Sequence, residues 1–197
     1  MPKSRVEAFT DGVLAIIITI MVLELHDPQG SSFAALAQVG TTFLTYLLSF
    51  VYVGIYWSNH HHLFQLVTTV HGGVLWANLH LLFWLSLIPF TTGWMDDTHF
   101  ATAPVVLYGA DLLACALAWQ VLERSLVASP DNRHLGRAVG TSHKEWLSLA
   151  GYAAAIGASF VSVWVGVGLL ALMAVLWLVP DRRFEREAAG AREHTAS

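Results

Sequence analysis

Charge and cysteine are the two things this chain has least of. Charged residues make up 12% of its 197 residues, about half of the ~25% that soluble domains usually carry. So few charges cannot cover the surface of a water-soluble globule, which points to a protein solvated by lipid. The single cysteine excludes an intrachain disulfide and a thiolate metal cage, and with them the disulfide-rich secreted scaffolds.

Signatures of soluble chemistry are missing as well. The sequence contains no Walker motif, no Ser-His-Asp arrangement typical of hydrolases and no basic patch suited to nucleic acid. We therefore expect neither an enzyme nor a nucleic-acid partner.

Apolar residues dominate what remains, at 55% of the chain. About 20 apolar residues cross a bilayer, and runs of that kind occur at 6–25, 36–57, 74–90 and 103–122. The run 147–179 would make a helix of about 50 Å, too long for a ~30 Å hydrocarbon core, so we divide it into two helices near residues 159–164. The prediction is an all-α membrane protein: residues 1–183 form one six-helix transmembrane domain, and 184–197 form a polar cytoplasmic tail.

The distribution of basic residues orients these helices. All ten lie at the N-terminus, between the fourth and fifth helices, or in the tail: Lys3 and Arg5; Arg124, Arg133, Arg137 and Lys144; Arg182, Arg183, Arg186 and Arg192. The loops after helices one and three carry acids without Lys or Arg. By the positive-inside rule both termini lie in the cytoplasm, and we expect a multi-pass protein of the cell membrane in contact with anionic lipids.

The first helix has the most unusual chemistry. Asp11 lies inside an apolar segment, and an acid at such a position normally faces protein or water. Helical spacing places six residues on one face of this helix: Phe9, Gly12, Ile16, Thr19, Ile20 and Leu23. Periodicity alone leaves open whether this face packs against neighbouring helices or lines a pore.

Four short motifs, in order along the chain, resemble a known family. They are Arg-x-x-x-Phe-Thr-Asp-Gly at 5–12, Gly-Ile-Tyr-Trp-Ser-Asn-His-His-His-Leu-Phe at 54–64, Leu-Trp-Ala-Asn-Leu at 75–79 leading to Ile-Pro-Phe at 88–90, and Trp-Leu-Val-Pro-Asp-Arg-Arg at 177–183. Together they resemble the six-helix potassium channels related to the endolysosomal potassium channel. Thr10 replaces the serine that is usual in the first motif but keeps its hydroxyl.

The resemblance implies a homotetramer in which four copies of the first helix line a pore for potassium ions, with no further cofactor. By position in the motif, Ile16 matches the main constriction, Ile20 and Leu23 match further apolar rings, and Thr19 matches a pore-facing hydroxyl. Glu24 and Asp27 follow this helix, and in a tetramer their carboxylates would concentrate cations at the outer mouth. The chain has no Thr-Val-Gly-Tyr-Gly stretch, so a filter of backbone carbonyls is not expected.

The family also holds its first-helix motif, here Arg5, Phe9, Thr10, Asp11 and Gly12, by hydrogen bonds to the second and third helices. Side chains of the right kind are Trp57, Asn59, His60, His61 and Asn78. We predict that Asp11 accepts from one or more of Trp57, His60, His61 and Asn78 and that Arg5 pairs nearby. The sequence does not choose between the two histidines.

Two other functions fit some of the same residues. Asp11, a histidine or Asp111 of the fourth helix could carry protons in a proton-permeable channel or a proton-coupled transporter. The histidines could instead serve a membrane-embedded redox enzyme. A metal site at 60–62 is disfavoured, because adjacent residues on a helix point about 100° apart and cannot converge on one ion.

Overall fold

The computed structural model describes residues 2–138 and 143–178, and this part of the chain is helical almost throughout. The helices are α1 Lys3–Leu23, α2 Phe33–Gln38, α3 Gly40–Leu66, α4 Gly72–Leu85, α5 Ile88–Asp97, α6 Thr102–Val127, α7 Leu135–Ala138, α8 His143–Ser159 and α9 Val163–Leu178, with a 3-10 turn at Pro130–Asn132 before α7. The predicted tail at 184–197 and the end of the fourth motif lie outside the described residues.

Three helical stretches are long and apolar enough to cross a bilayer by length and composition: Lys3–Leu23, Gly72–Asp97 and Thr102–Val127. α9 is apolar but shorter. The break between α8 and α9 falls at residues 160–162, inside the range expected for it. The six-span count agrees with these bounds and stays a prediction.

Two expected helices differ in extent from the sequence prediction. The second, expected at 36–57, begins with the short α2 and continues in α3 as far as Leu66, so the three histidines lie within a helix. The third, expected at 74–90, is interrupted at residues 86–87 and continues as α5. Pro89 lies in the first turn of α5, where its missing N–H breaks the α4 hydrogen-bond ladder but is tolerated at a helix start.

α6 is the central helix of the subunit, and α1 is peripheral. α6 contacts α4, α5, α8 and α9. Of the residues in its apolar stretch 56% are buried, whereas in α1 only 28% are. α1 contributes one face to the core, through Val6, Thr10, Leu14, Ile17 and Met21, and packs on α3, α4 and α5. The opposite face of α1 is not covered by any part of the chain that the structure describes.

Polar contacts fasten the start of α1 to the end of α3, and the loop after α3 to the turn after α6. Lys3 Nζ donates to the carbonyls of Phe64 and Gln65, each at 3.0 Å, at the end of α3. Both carbonyls lie in the last turn of α3, where the helix dipole makes a cation favourable. The side chain of buried Asn132 accepts from the amides of Thr68 and Thr69 at 3.0 and 3.3 Å and donates to the Thr69 carbonyl at 2.9 Å. The loop between α3 and α4 is therefore fixed to the turn after α6.

Candidate pore helix and its polar anchors

The six residues predicted to share one face of α1 all lie on its uncovered side. Ile16 is 61% exposed and Leu23 77% exposed in the single subunit, and Phe9 and Ile20 are exposed as well. A Cβ placed on Gly12 would meet no other atom within 4 Å. This surface is apolar and continuous along the helix, so it must face lipid or another protein chain.

Thr19 is the hydroxyl-bearing residue of that face. Its Oγ1 donates to the carbonyl of Ala15 at 2.8 Å, one turn earlier in the helix. Because the hydroxyl hydrogen is used internally, the oxygen lone pairs stay available on the exposed side. Thr19 can therefore act there as an acceptor or as a cation ligand.

The buried side of α1 is held by a chain of three polar side chains. Asn78 Nδ2 donates to Thr10 Oγ1 at 3.0 Å, and Asn78 Oδ1 lies 2.9 Å from His60 Nε2, which donates to it. All three side chains are buried, and the His60 ring stacks on Phe64 with 4.1 Å between centroids. These hydrogen bonds join α1, α4 and α3 at one point of the α1 surface, so together with the packed residues of its buried face they fix the rotation of α1.

Asp11, the acid of the first-helix motif, makes a second and more exposed contact. Trp57 Nε1 donates to Asp11 Oδ1 at 3.0 Å. The Trp57 ring stacks on His61, whose Nε2 accepts from Gln65 at 2.9 Å. The network therefore has two branches, with His60 in the buried branch and His61 beside Trp57.

Two of the expected partners are elsewhere. Arg5 is exposed, and within residues 2–138 and 143–178 it forms no ion pair with a neighbouring acid. Asn59, expected in the network, is half-buried and lines a separate cavity of about 30 Å³ with Tyr52, Trp119 and Tyr152. The rotation of α3 explains this position, because Asn59 precedes His60 by 100° and so faces α6 and α8 rather than α1.

The three adjacent histidines each have a partner of their own. His60 bonds Asn78, His61 bonds Gln65, and His62 Nδ1 lies 2.7 Å from the carbonyl of Ser58. Within the described part of the chain, no group of three metal-ligating side chains converges. The ring nitrogens serve hydrogen bonds that hold α3 and its neighbours.

The two acids that follow α1 lie at its C-terminal end and have different surroundings. The Glu24 carboxylate lies against Gly93 of α5, so close that a Cβ there would come within 3.2 Å of Oε2. It lines a cavity of about 400 Å³ together with Asp96 and Asp97. Burial first and Asp97 second raise the pKa of Glu24, while His26 lowers it. Asp27 is exposed, whereas Glu24 lies against α5. The attraction of cations by these two acids stays a prediction.

One polar cluster was not assigned from the sequence. Ser49 Oγ lies 2.7 Å from Thr92 Oγ1 and 3.0 Å from the Tyr108 hydroxyl, all buried between α3, α5 and α6. Asp111 lies one turn after Tyr108 and contacts Thr91 of α5 rather than Tyr108. Asp111 was the signal that the sequence offered near this cluster. The side chains of Ser49, Thr92 and Tyr108 come from three helices far apart in sequence, so no local pattern predicts their contact.

Comparison with known proteins extends over nearly the whole chain. The family model for the endosomal/lysosomal potassium channel TMEM175 matches residues 5–89. A potassium channel from Chryseobacterium sp. is 51% identical over 187 residues, which are 94% of this chain and 97% of that protein. A potassium channel from Chamaesiphon minutus is 32% identical over 87% of this chain and 91% of its own length.

The fold is similar to a solved structure as well. The crystal structure of a lysosomal potassium-selective channel TMEM175 homolog from Chamaesiphon minutus superposes with a TM-score of 0.79 and 28% sequence identity, covering 90% of this chain and 96% of that one. The matched region includes α1 and its anchors on α3 and α4.

Proposed function

Since the chain belongs to the TMEM175 channel family, we propose that it is a potassium-permeable cation channel, formed as a homotetramer with α1 of each subunit around a central pore. The membrane is the cell membrane, and both termini lie in the cytoplasm, as the basic residues predict. Ions pass through passively, and the chain is a channel rather than an enzyme.

The uncovered face of α1 is the observation that carries this proposal. Four copies of that face, brought together, would bury the exposed side chains of Phe9, Ile16, Ile20 and Leu23 around one axis. The glycine at position 12 would allow the helices to approach closely. The opposite face is already committed to the subunit core, so α1 is positioned by α3, α4 and α5 to present these residues.

The proposed pore selects ions without a carbonyl filter. Four Ile16 side chains form an apolar ring that blocks a hydrated ion and gates by dewetting when the helices separate or rotate. Thr19 supplies oxygen lone pairs one turn further along. Glu24 and Asp27 at the outer end attract cations and repel anions.

The test is a flux assay on protein reconstituted in liposomes, with wild type against Ile16→Asn. A polar ring hydrates the constriction, so we expect a higher potassium leak and less discrimination between potassium and sodium. Leu172→Asn on α9 is the matched control, because Leu172 is 55% exposed, similar to Ile16, but lies on a helix that does not line the proposed pore. Absence of flux in wild type and Ile16→Asn, or an equal effect of both substitutions, would contradict the proposal.

The assembly is tested separately. Native mass spectrometry of the detergent-solubilised protein should give four times the chain mass of 21.6 kDa. A cysteine introduced at position 23 in place of leucine should form disulfide-linked dimers on oxidation, since neighbouring α1 helices converge there. A monomeric mass would contradict the tetramer whatever the flux result.

A further inference from the structure

Asp111 is a buried acid that the proposed pore does not use. It lies in α6, only 3% exposed, with Oδ2 3.2 Å from Thr91 Oγ1 of α5. Its second oxygen, Oδ1, is buried and has no hydrogen-bond partner. An acid in such a site needs either a cation or a proton, because an unpaired carboxylate is costly to bury.

The hydrogen bonds of Thr91 favour a proton on Asp111 over a cation beside it. Thr91 Oγ1 lies 3.2 Å from the carbonyl of Leu87 and 3.2 Å from the carbonyl of Ile88, besides its contact with Asp111. A hydroxyl has one hydrogen, and neither carbonyl can donate. With an ionised Asp111, three acceptors would compete for that single hydrogen. With a protonated Asp111, its O–H donates to Thr91, and the Thr91 hydrogen goes to the carbonyls.

The surroundings of Asp111 offer no compensating positive charge. Its titratable neighbours are Tyr56 of α3 and Tyr108 and Cys115 of α6, which are neutral groups at physiological pH. In the part of the chain that the structure describes, no Lys, Arg or His forms an ion pair with it. An apolar site of this kind keeps a carboxylic acid neutral, so that it can act as a hydrogen-bond donor.

We propose that Asp111 is a proton-binding site: it holds its proton at neutral pH and donates it in a hydrogen bond to Thr91, which braces the interruption between α4 and α5 against α6. The carbonyls that Thr91 contacts, those of Leu87 and Ile88, lie at this interruption, where Pro89 leaves the helical ladder incomplete. Asp111 is thus a positioning residue for α5, and through α5 it supports the outer end of α1.

The protonation state is tested by infrared spectroscopy of the reconstituted full-length protein at pH 7. The difference spectrum of wild type minus Asp111→Asn should contain the C=O stretching band of a protonated carboxylic acid. The same difference for Asp27→Asn, an exposed acid, should contain carboxylate bands and so calibrates the measurement. Carboxylate bands in the Asp111 difference would overturn the proposal.

The hydrogen bond to Thr91 is tested by the frequency of the Asp111 C=O stretching band. Thr91→Val removes the acceptor but keeps the shape, so we expect the Asp111 C=O band to shift to higher frequency. An unchanged band position would show that Asp111 does not donate to Thr91, even if it is protonated. This readout separates the proposed bond from a general loss of packing.

Stability provides the third arm, measured as the thermal unfolding midpoint in detergent. Asp111→Asn keeps a neutral donor and should leave the midpoint near wild type at pH 7, whereas Asp111→Leu should lower it by several degrees. As the pH rises, wild type should lose stability faster than Asp111→Asn, because only wild type has the proton to lose. Equal destabilisation by Asn and Leu would mean that the negative charge is needed, and the proposal would be wrong.

Discussion

The hydrogen bond between Thr10 and Asn78 should be the main determinant of how α1 is rotated in the subunit. Thr10 is 1% exposed and Asn78 2% exposed, so neither can exchange its partner for water. Leaving one buried polar group unpaired costs about 1–3 kcal/mol. In membrane bundles the measured value is smaller, about 0.6 kcal/mol on average and about 1.7 at most, since the unfolded chain in the membrane also finds partners.

Thr10→Val removes one hydrogen bond, and we expect it to lower the free energy of unfolding by about 1 kcal/mol. Asn78→Leu removes the bonds to both Thr10 and His60, so about 2 kcal/mol is expected. The double variant should cost less than the sum of the two, by a coupling of about 0.5–1.5 kcal/mol.

The assay is reversible unfolding of the protein in mixed micelles, with the same four proteins tested for potassium flux. Thr10→Ser is the control, because it keeps the hydroxyl that accepts from Asn78, so its cycle with Asn78→Leu should show a coupling near zero. Additive effects in the Thr10→Val cycle would refute the argument that this bond joins the two helices. Flux unaffected by any variant would refute its role in positioning the pore face.

Three further predictions concern other contacts of the same helices. Burial and Asp97 raise the pKa of Glu24, so acidifying the outer solution should remove its negative charge at a higher pH than for a free glutamate. Potassium flux should fall over that pH range. Asp97→Asn should move the midpoint of this fall in flux to lower pH, and an unchanged midpoint would contradict the role of Asp97. Trp57→Phe and Asp11→Ala remove opposite ends of one hydrogen bond, so their effects on tetramer yield or single-channel open probability should be similar and not additive, and additive effects would count against the bond. Asn132→Ala breaks three hydrogen bonds of a buried amide and should destabilise the subunit by about 1–3 kcal/mol, seen as faster proteolysis of the loop between α3 and α4; an unchanged cleavage rate would contradict that clamp.

The sequence predicted the helices and the outward face of α1 well, because both depend on the placement of apolar residues along one segment. It did not predict the interruption at residues 86–87, where the apolar run continues and only Pro89 marks the change. It also ended the second helix at residue 57, since the polar run after it is typical of a membrane interface. In the structure that run is helical to Leu66, with His60 turned inward.

The partners within the site depend on rotations that a single sequence does not fix. Adjacent residues on α3 point 100° apart, so whether His60 or His61 reaches Asn78 is decided by how α3 packs on α4 and α6. Asn132 and Thr69 are 63 residues apart, and no local sequence pattern predicts their contact. Arg5, which we expected to pair near the motif, forms no ion pair within the described part of the chain.

The hydrogen bonds from α1 to other helices are confined to its first three turns, so its N-terminal part is held more firmly than its C-terminal end. Lys3, Thr10 and Asp11 bond to other helices, whereas from Gly12 to Leu23 the described side chains make no hydrogen bond outside α1. With a rise of 1.5 Å per residue, Leu23 lies about 18 Å beyond Asp11 and Ile16 about 7.5 Å beyond it. A tilt of about 10° about Asp11 would therefore swing Leu23 by roughly 3 Å but Ile16 by only about 1.3 Å. If four such helices tilted together, their C-terminal ends would separate most, and the ring of Ile16 side chains would widen less than the ring of Leu23 side chains.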